Sequence, residues 1–143
     1  MATFLLKTEP DDFSYDDLVA AKREPWDGVK NPSARMAMRT VKKGDEAFIY
    51  HTGKEKAIVG LATIVSDVYA DPAFPDAGET DEGLPKAPLF DVKATRRAKT
   101  PVTLKEIKAD ERFAEFMLVK QSRLSVMDVP KRLDTLLRKM AGL

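Results

Sequence analysis

Two side chains that occur only once in the chain, a histidine and a tryptophan, are the first candidates for chemistry or ligand binding. The histidine, His51, is able to act as a general acid or base, or as a metal ligand. No nucleophile elbow accompanies it, and no partner residue stands at metal-ligand spacing from it. We therefore predict no catalytic group and no metal site. The residues alone favour a strand-end histidine that hydrogen-bonds its neighbours.

The tryptophan, Trp26, lies between Pro25 and Asp27-Gly28 in a predicted loop. A loop tryptophan is either a plug of the hydrophobic core or a flat surface on which an aromatic ligand stacks. An exposed indole that stacks on a nucleobase gains ~1–3 kcal/mol per base. The residues alone favour core packing, and the stacking role stays open.

The charges are balanced in sum but unevenly distributed along the chain. The formal net charge is +1, which is less than strongly basic nucleic-acid binders carry. Segments 28–44 and 92–104 contain no acidic residue, whereas acids are concentrated in 11–17 and 71–82. The first basic segment starts directly after Trp26, and a nucleotide site needs a stacking ring beside phosphate-binding charges. Solvated helix faces explain the same charges equally well, so both interpretations stay open.

Composition and local patterns exclude several classes of site. The absence of cysteine excludes disulfides, cysteine nucleophiles and cysteine zinc sites. No strand is followed by a glycine-rich turn and a helix, so no dinucleotide or P-loop site is predicted and no cofactor is indicated. The apolar N-terminal stretch is too short for a signal peptide, and the apolar run 57–65 is far below the ~20 residues of a membrane helix. We expect a soluble, cytoplasmic protein without membrane contact.

Strands and short helices are predicted to alternate within one domain that spans residues 1–143. Three helices are predicted to begin at N-cap residues, namely Ser14, Asn31 and Thr103. A fourth helix follows Pro130 and buries one face. Strands are predicted at 3–6, 46–51, 57–69, 89–97 and 123–129, and a proline-rich surface loop at 71–88. The pattern predicts an α+β domain with a largely antiparallel sheet or small barrel.

Five segments of the sequence occur together in the order found in one protein family. They are Lys7-Thr8-Glu9-Pro10, Trp26-Asp27-Gly28-Val29-Lys30-Asn31, Gly44-Asp45, Tyr50-His51 and Ser122-Arg123-Leu124-Ser125-Val126. Each segment alone is weak evidence, but five in register over nearly the whole chain form a specific pattern. The pattern closely resembles that of the EVE domains, which belong to the PUA-like group of base-recognising modules.

The resemblance implies a PUA-like fold, with a small curved sheet or barrel flanked by short helices, and a binding module rather than an enzyme. It implies recognition of a single modified base, of the 5-methylcytosine type in DNA, flipped into an aromatic pocket. The residues that it assigns to the base pocket are Trp26, Asn31, Tyr50, His51, Thr8 and Ser125. The residues that it assigns to phosphate or backbone contacts are Lys7, Lys30, Arg35 and Arg123.

Three departures from the family pattern leave the identity of the base open. Pro32-Ser33 stands where Tyr-Gln commonly follows the asparagine, and Thr8 in place of serine adds a methyl group. The acidic loop 71–88 would repel phosphate near a pocket. Three other functions also stay open: an RNA-binding regulator, a sensor of free nucleotides or small molecules, and an enzyme that uses His51. A binding competition between DNA and RNA tests the RNA-binding alternative, because the 2′-hydroxyl distinguishes RNA from DNA. For the enzyme alternative, the sequence offers no second catalytic group beside His51.

Overall fold

The computed structural model of the protein describes all residues, 1–143. The eight strands are β1 (Thr3–Thr8), β2 (Glu24–Pro25), β3 (Glu46–His51), β4 (Ala57–Ile64), β5 (Tyr69–Ala70), β6 (Pro88–Leu89), β7 (Asp91–Thr103) and β8 (Val126–Asp128). The five α-helices are α1 (Tyr15–Ala21), α2 (Pro32–Met38), α3 (Leu104–Ala109), α4 (Met117–Lys120) and α5 (Lys131–Ala141), and a 3₁₀ turn covers Glu111–Phe113. This mixture of strands and short helices confirms the predicted α+β class.

Six of the strands form one curled sheet in the order β2-β7-β4-β3-β1-β8. Strands β1 and β3 run parallel, whereas every other neighbouring pair is antiparallel. The sheet closes about half of a barrel and is flanked by the five short helices. The predicted PUA-like, curved and largely antiparallel sheet is therefore confirmed. Its order places β2 at one edge and β8, beside β1, at the other.

The helices begin at the predicted caps. The Ser14 side chain accepts a hydrogen bond from the Asp17 amide, and the Asp17 carboxylate accepts one from the Ser14 amide. A second capping box of the same kind begins α3 at Thr103. At α2, Asn31 Oδ1 accepts a hydrogen bond from the amide of Ala34 at 3.0 Å. These caps satisfy amides that a helix leaves unpaired in its first turn.

Four strand predictions were wrong in extent. Strand β1 was predicted to end at residue 6 but continues to Thr8, because it pairs with β3 as far as His51. Strand β4 was predicted to reach residue 69 but ends at Ile64, because its partner β7 begins at Asp91 and offers no ladder beyond it. Strand β7 continues past the predicted end at 97 to Thr103. It passes through Pro101, which an edge strand tolerates. Strand β8 covers only three of the predicted residues 123–129, since β1 pairs with it over these residues alone.

The acidic loop 71–88 is irregular, as predicted, but it is anchored at both ends. The short strands β5 and β6 pair with each other at the start and end of the loop. Arg39, which follows α2, donates to the main-chain oxygens of Pro85 and Lys86 at 2.7 and 3.0 Å. These contacts fix the loop beside the end of α2.

Helix α1 connects β1 to the edge strand β2, and Tyr15 holds it against the middle of the sheet. The Tyr15 hydroxyl donates to the main-chain oxygen of Leu61 at 2.8 Å. The tyrosine ring lies against Gly60 in β4, where a Cβ atom would stand 2.4 Å from the ring carbon Cε1. Glycine at this position therefore permits the close approach of α1 to the sheet.

Candidate nucleic-acid interface

A cavity of about 250 Å³ lies where the two edges of the curled sheet approach each other. Strand β1 supplies Lys7 and Thr8, and Ser125 precedes β8 at the same edge. The opposite edge supplies residues 24–29, and Phe13 completes the wall from the loop between β1 and α1. The curl of the sheet builds this site, because neither edge alone surrounds the cavity.

Trp26 belongs both to the hydrophobic core and to the wall of the cavity. It is only 6% exposed, and its amide donates to the main-chain oxygen of Phe90 at 2.8 Å. The Phe13 ring meets it edge to face, with ring centroids 6.4 Å apart and planes at 79°. Aromatic pairs favour this geometry, which fixes the orientation of the indole. The core packing that the residues alone favoured is confirmed, and the cavity-facing surface is held rigidly.

Lys7 places a cation at the cavity. Its Nζ donates to the main-chain oxygen of Ser122 at 2.9 Å and lies 5.6 Å from the centroid of the Tyr50 ring. Burial lowers the pKa of the Lys7 ammonium below its usual value of 10.5. An ammonium has three donors, so two remain for a ligand.

The other polar groups of the cavity also retain bonding capacity. The Thr8 hydroxyl donates to the main-chain oxygen of Phe13 at 2.6 Å and is still able to accept. The main-chain oxygen of Ser125 accepts from the Lys7 amide at 2.9 Å, while the Ser125 hydroxyl stays free. The carboxylates of Glu24 and Asp27, also in the wall, take part in no ion pair. The cavity thus offers free donors and acceptors beside two aromatic rings.

His51 does not line the cavity, and both of its ring nitrogens are occupied. Nε2 accepts a hydrogen bond from the amide of Tyr15 at 3.0 Å, and Nδ1 lies 2.7 Å from Oε1 of Glu55. The residue is 8% exposed. His51 therefore ties the start of α1 to the end of β3, the hydrogen-bonding role that the residues alone favoured.

Asn31 and Tyr50 are also absent from the cavity wall. The Asn31 side chain caps α2 through its Oδ1, as described above, and so stays at the start of that helix. The Tyr50 side chain is buried, and burial raises the pKa of its hydroxyl. Its ring faces the Lys7 ammonium in a cation–π contact, so Tyr50 affects the cavity only through that lysine.

The remaining predicted phosphate contacts lie around the cavity. Lys30 and Arg35 line a smaller cavity of about 40 Å³ on the far side of Gly28-Val29. Nε of Arg35 donates to the main-chain oxygen of Val29 at 2.9 Å, which leaves its other nitrogens free. Arg123 is exposed between Ser122 and Ser125, next to the β8 edge.

Sequence reasoning missed six residues of the wall: Phe13, Glu24, Pro25, Asp27, Gly28 and Val29. Asp27 and Val29 lie inside the tryptophan motif and were identifiable from their position in it. Gly28 between them has a φ angle of +75°, a conformation that favours glycine, and it turns the chain along the wall. Phe13 and Glu24 carry no local signal, because only the fold brings them beside Trp26.

Two further features of the structure bear on function. The histidine and acidic side chains form no group that could hold a metal ion. No helix combines the length and the apolar character needed to cross a membrane.

The curled six-stranded sheet, its flanking helices and the cavity between the sheet edges define a PUA-like α+β domain. The model of the EVE domain matches residues 2–140. Human thymocyte nuclear protein 1 is 35% identical over 126 residues, which cover 74% of this chain and 55% of that protein. The chain therefore belongs to the EVE domain family. It spans about half the length of the thymocyte nuclear proteins that it matches.

Solved structures share this fold at close to full length. Rpa0253 from Rhodopseudomonas palustris is 42% identical, with a TM-score of 0.86, over 99% of this chain and 94% of that one. The human THYN1 protein in complex with 5-methylcytosine containing DNA is 28% identical, with a TM-score of 0.86, over 100% of this chain and 99% of that one. The family therefore includes a member solved in complex with methylated DNA.

Proposed function

We propose that this domain binds DNA and recognises a single modified cytosine, of the 5-methylcytosine type, that has left the base stack and entered the cavity beside Trp26. The observation that carries the proposal is the cavity itself, in which unpaired polar groups face a space bounded by a rigid aromatic pair. The likeness to the human protein in complex with methylated DNA supports the choice of ligand. Binding alone is proposed, without a chemical step.

The size of the cavity suits one base. Ligand pockets commonly enclose roughly 300–1,000 Å³, and the 250 Å³ here is slightly below that range. Flipping a base out of a duplex costs a few kcal/mol, and less for a base that is damaged or in a single strand. Stacking on an exposed ring returns ~1–3 kcal/mol, but the indole here is only 6% exposed, so the polar edge contacts must provide most of the binding energy.

The chemistry of the wall matches the edge of a cytosine. Cytosine donates through its N4 amino group, for which a carboxylate is the usual acceptor, and Glu24 and Asp27 supply carboxylates. Its ring nitrogen and carbonyl oxygen accept, and the Lys7 ammonium has donors to spare. The apolar surface of Phe13 and Val29 suits a methyl group at C5.

Within this proposal the predicted site residues fall into three groups: those that contact the base, those that contact the backbone, and those that only support the others. Trp26, Thr8 and Ser125 contact the base, and Lys7 lies at its edge or at the adjoining phosphate. Lys30, Arg35 and Arg123 contact the sugar-phosphate backbone around the rim. Asn31, Tyr50 and His51 support these groups without touching the ligand.

Anisotropy of labelled single-stranded oligonucleotides tests the proposal. Matched DNA and RNA strands carry cytosine, 5-methylcytosine or 5-hydroxymethylcytosine at one central position, and the free nucleosides serve as competitors. The expected result is a preference for one modified base in DNA of at least about 1.4 kcal/mol, a factor of ten. Equal affinity for all bases would contradict the proposal. A preference for RNA would point instead to an RNA-binding regulator, and tight binding of the nucleoside alone to a small-molecule sensor.

Isosteric substitutions test the assignment of the base edge. Glu24→Gln and Asp27→Asn remove the carboxylates while they keep the shape of the wall, and the exposed Glu111→Gln serves as the matched control. At least one of the two cavity variants is expected to lose about tenfold in affinity for the modified strand, because hydrogen bonds to charged groups contribute ~1.5–3 kcal/mol. If both variants bind like the control, the carboxylates do not hold the base.

A further inference from the structure

A second, basic groove adjoins the cavity. It encloses about 300 Å³ between α1 and the first half of β7, and we call it the α1–β7 groove. Its lining includes four basic residues, namely Lys22, Lys93, Arg96 and Arg97. Arg97 is already engaged, since it pairs with Asp16 and lies 5.0 Å from the centroid of the Tyr15 ring. The other three cations are exposed and form no ion pair in the protein.

The backbone of β7 explains why these cations gather in one place. Strand β2 pairs only with Asp91 and Val92, so the outer edge of β7 is free from Lys93 onward. The β4–β7 register shifts between Leu61 and Ala62, which leaves an extra residue in β7. Such a bulge interrupts the alternation of side chains between the two faces. As a result, residues 95–97 are all exposed in succession.

A short piece of chain connects the groove to the cavity. Lys22 lines the groove, and Glu24 begins the wall of the cavity. Two residues of extended chain span at most about 7 Å. Successive phosphates of a stacked strand advance roughly 3.4 Å along the helix axis, so the distance corresponds to two nucleotides at most. A base in the cavity therefore brings the neighbouring phosphates of its strand within reach of the groove.

The other end of the cavity wall carries charges of both signs. Gly28 and Val29 line the cavity and also a smaller cavity that Lys30 and Arg35 share with Asp71 and Phe74 of the acidic loop 71–88. That loop carries five acidic residues, namely Asp71, Asp76, Glu79, Asp81 and Glu82. A cluster of carboxylates repels phosphate. The cavity thus lies between a basic groove and an acidic loop.

We propose that the α1–β7 groove binds the phosphates on one side of the recognised base. The strand then leaves the cavity over Lys22, Lys93 and Arg96 and turns away from the loop 71–88. This inference rests on the proposed function for the position of the base. The partner in the groove is the sugar-phosphate backbone of a single strand or an opened duplex, which is bound without regard to sequence.

The salt dependence of binding tests the groove. The double variant Lys93→Ala/Arg96→Ala removes two cations from it, and Lys105→Ala/Lys108→Ala removes two exposed lysines from α3 as a matched control. Affinity for a single strand with a central 5-methylcytosine is measured by anisotropy over a series of salt concentrations. The slope of log affinity against log salt is expected to fall in magnitude by about 1.4 in the groove variant, at ~0.7 per lost contact, and to stay unchanged in the control.

The direction of the strand is tested with asymmetric oligonucleotides. Strands extended by a few nucleotides on only the 5′ or only the 3′ side of the modified base are compared. The wild type is expected to gain more affinity from one extension than from the other, and the groove variant to lose that difference. An unchanged slope, or equal gains from both extensions, would overturn the inference. Absence of any base preference in the wild type would contradict the proposed function instead, while the slopes still decide whether the groove binds phosphate.

Discussion

The cavity and the His51 junction, where His51 meets Tyr15 and Glu55, both place polar side chains beside a buried aromatic ring. They differ in how many hydrogen-bonding groups remain free. At the junction, the two nitrogens of His51 meet the amide of Tyr15 at 3.0 Å and the carboxylate of Glu55 at 2.7 Å. In the cavity, Lys7 uses one donor on Ser122 and keeps two. The hydrogen-bonding groups of His51 are all paired within the protein, whereas the cavity retains groups that are free to bind a ligand.

This difference separates residues that the family pattern does not distinguish. A residue type defines which hydrogen bonds a side chain is able to form, and the fold decides which of them are already formed. His51 uses both ring nitrogens within the protein, and Asn31 uses its Oδ1 on α2 and lies outside the cavity, while Lys7 and Ser125 retain free groups at the cavity. We therefore expect substitutions at the junction to change stability, and substitutions in the cavity to change binding.

The largest expected effect is on stability, at the contact that presses α1 onto the sheet. Gly60→Ala places a methyl group 2.4 Å from Cε1 of Tyr15, and overpacking of this kind costs ~1–3 kcal/mol or more. Urea unfolding followed by circular dichroism measures the loss. In a Tyr15→Leu background the loss should shrink, since the ring that clashes is gone; an equal loss in both backgrounds would contradict the contact.

The next effect is on binding, in the cavity. Lys7→Met keeps the apolar stem but removes the ammonium, and a hydrogen bond from a charged group contributes ~1.5–3 kcal/mol. Affinity for the modified strand is expected to fall by roughly 10- to 100-fold, with little change in the urea midpoint. Lys105→Met, on exposed α3, is the control. Unchanged affinity in Lys7→Met would remove the lysine from the site.

A comparable substitution at the junction should have the reverse outcome. His51→Ala leaves the buried Tyr15 amide without its acceptor, which costs ~1–3 kcal/mol, whereas the exposed Glu55 carboxylate is able to turn to water. The preference for the modified base is expected to stay the same in the folded fraction. If the variant folds normally but loses that preference, His51 belongs to the binding site and the distinction between the two regions is wrong.

The smallest effect is on the pH dependence of binding. Burial lowers the pKa of Lys7 below 10.5, so the ammonium loses its proton earlier than an ordinary lysine. Affinity should therefore decline as the pH rises through this lowered pKa, and Lys7→Arg should bind unchanged over the same range. Between the lowered pKa and 10.5 the unfolded chain binds more protons, so this lysine makes the protein more stable as the pH rises.

The sequence predicted local elements well where a side chain and the backbone act within a few residues of each other. The caps at Ser14, Asn31 and Thr103 all form. The face of α5 that carries Leu133 and Leu137 is buried. Strand β2 and helix α4 were missed, because β2 has two residues and α4 has no side-chain cap. Their positions depend on long-range packing, which local patterns do not encode.

The candidate site was predicted only in part, for the same reason. The motifs contain Lys7, Thr8, Trp26 and Ser125, which the curl of the sheet brings to one cavity. They do not indicate Phe13, whose ring meets Trp26 only after the chain has folded. The basic residues of 92–104 were visible as an acid-free segment, but their gathering beside α1 follows from a bulge in β7.

The fluorescence of Trp26, the only tryptophan of the chain, tests the central claim most directly. A strand that carries 5-methylcytosine is titrated into the protein while tryptophan emission and the anisotropy of a label on the strand are recorded together. A base stacked beside the indole should quench or shift the emission, and this change should have the same midpoint as the change in anisotropy. The unmodified strand should bind with lower affinity. Binding that changes the anisotropy but leaves the emission unchanged would show that the base does not enter this cavity.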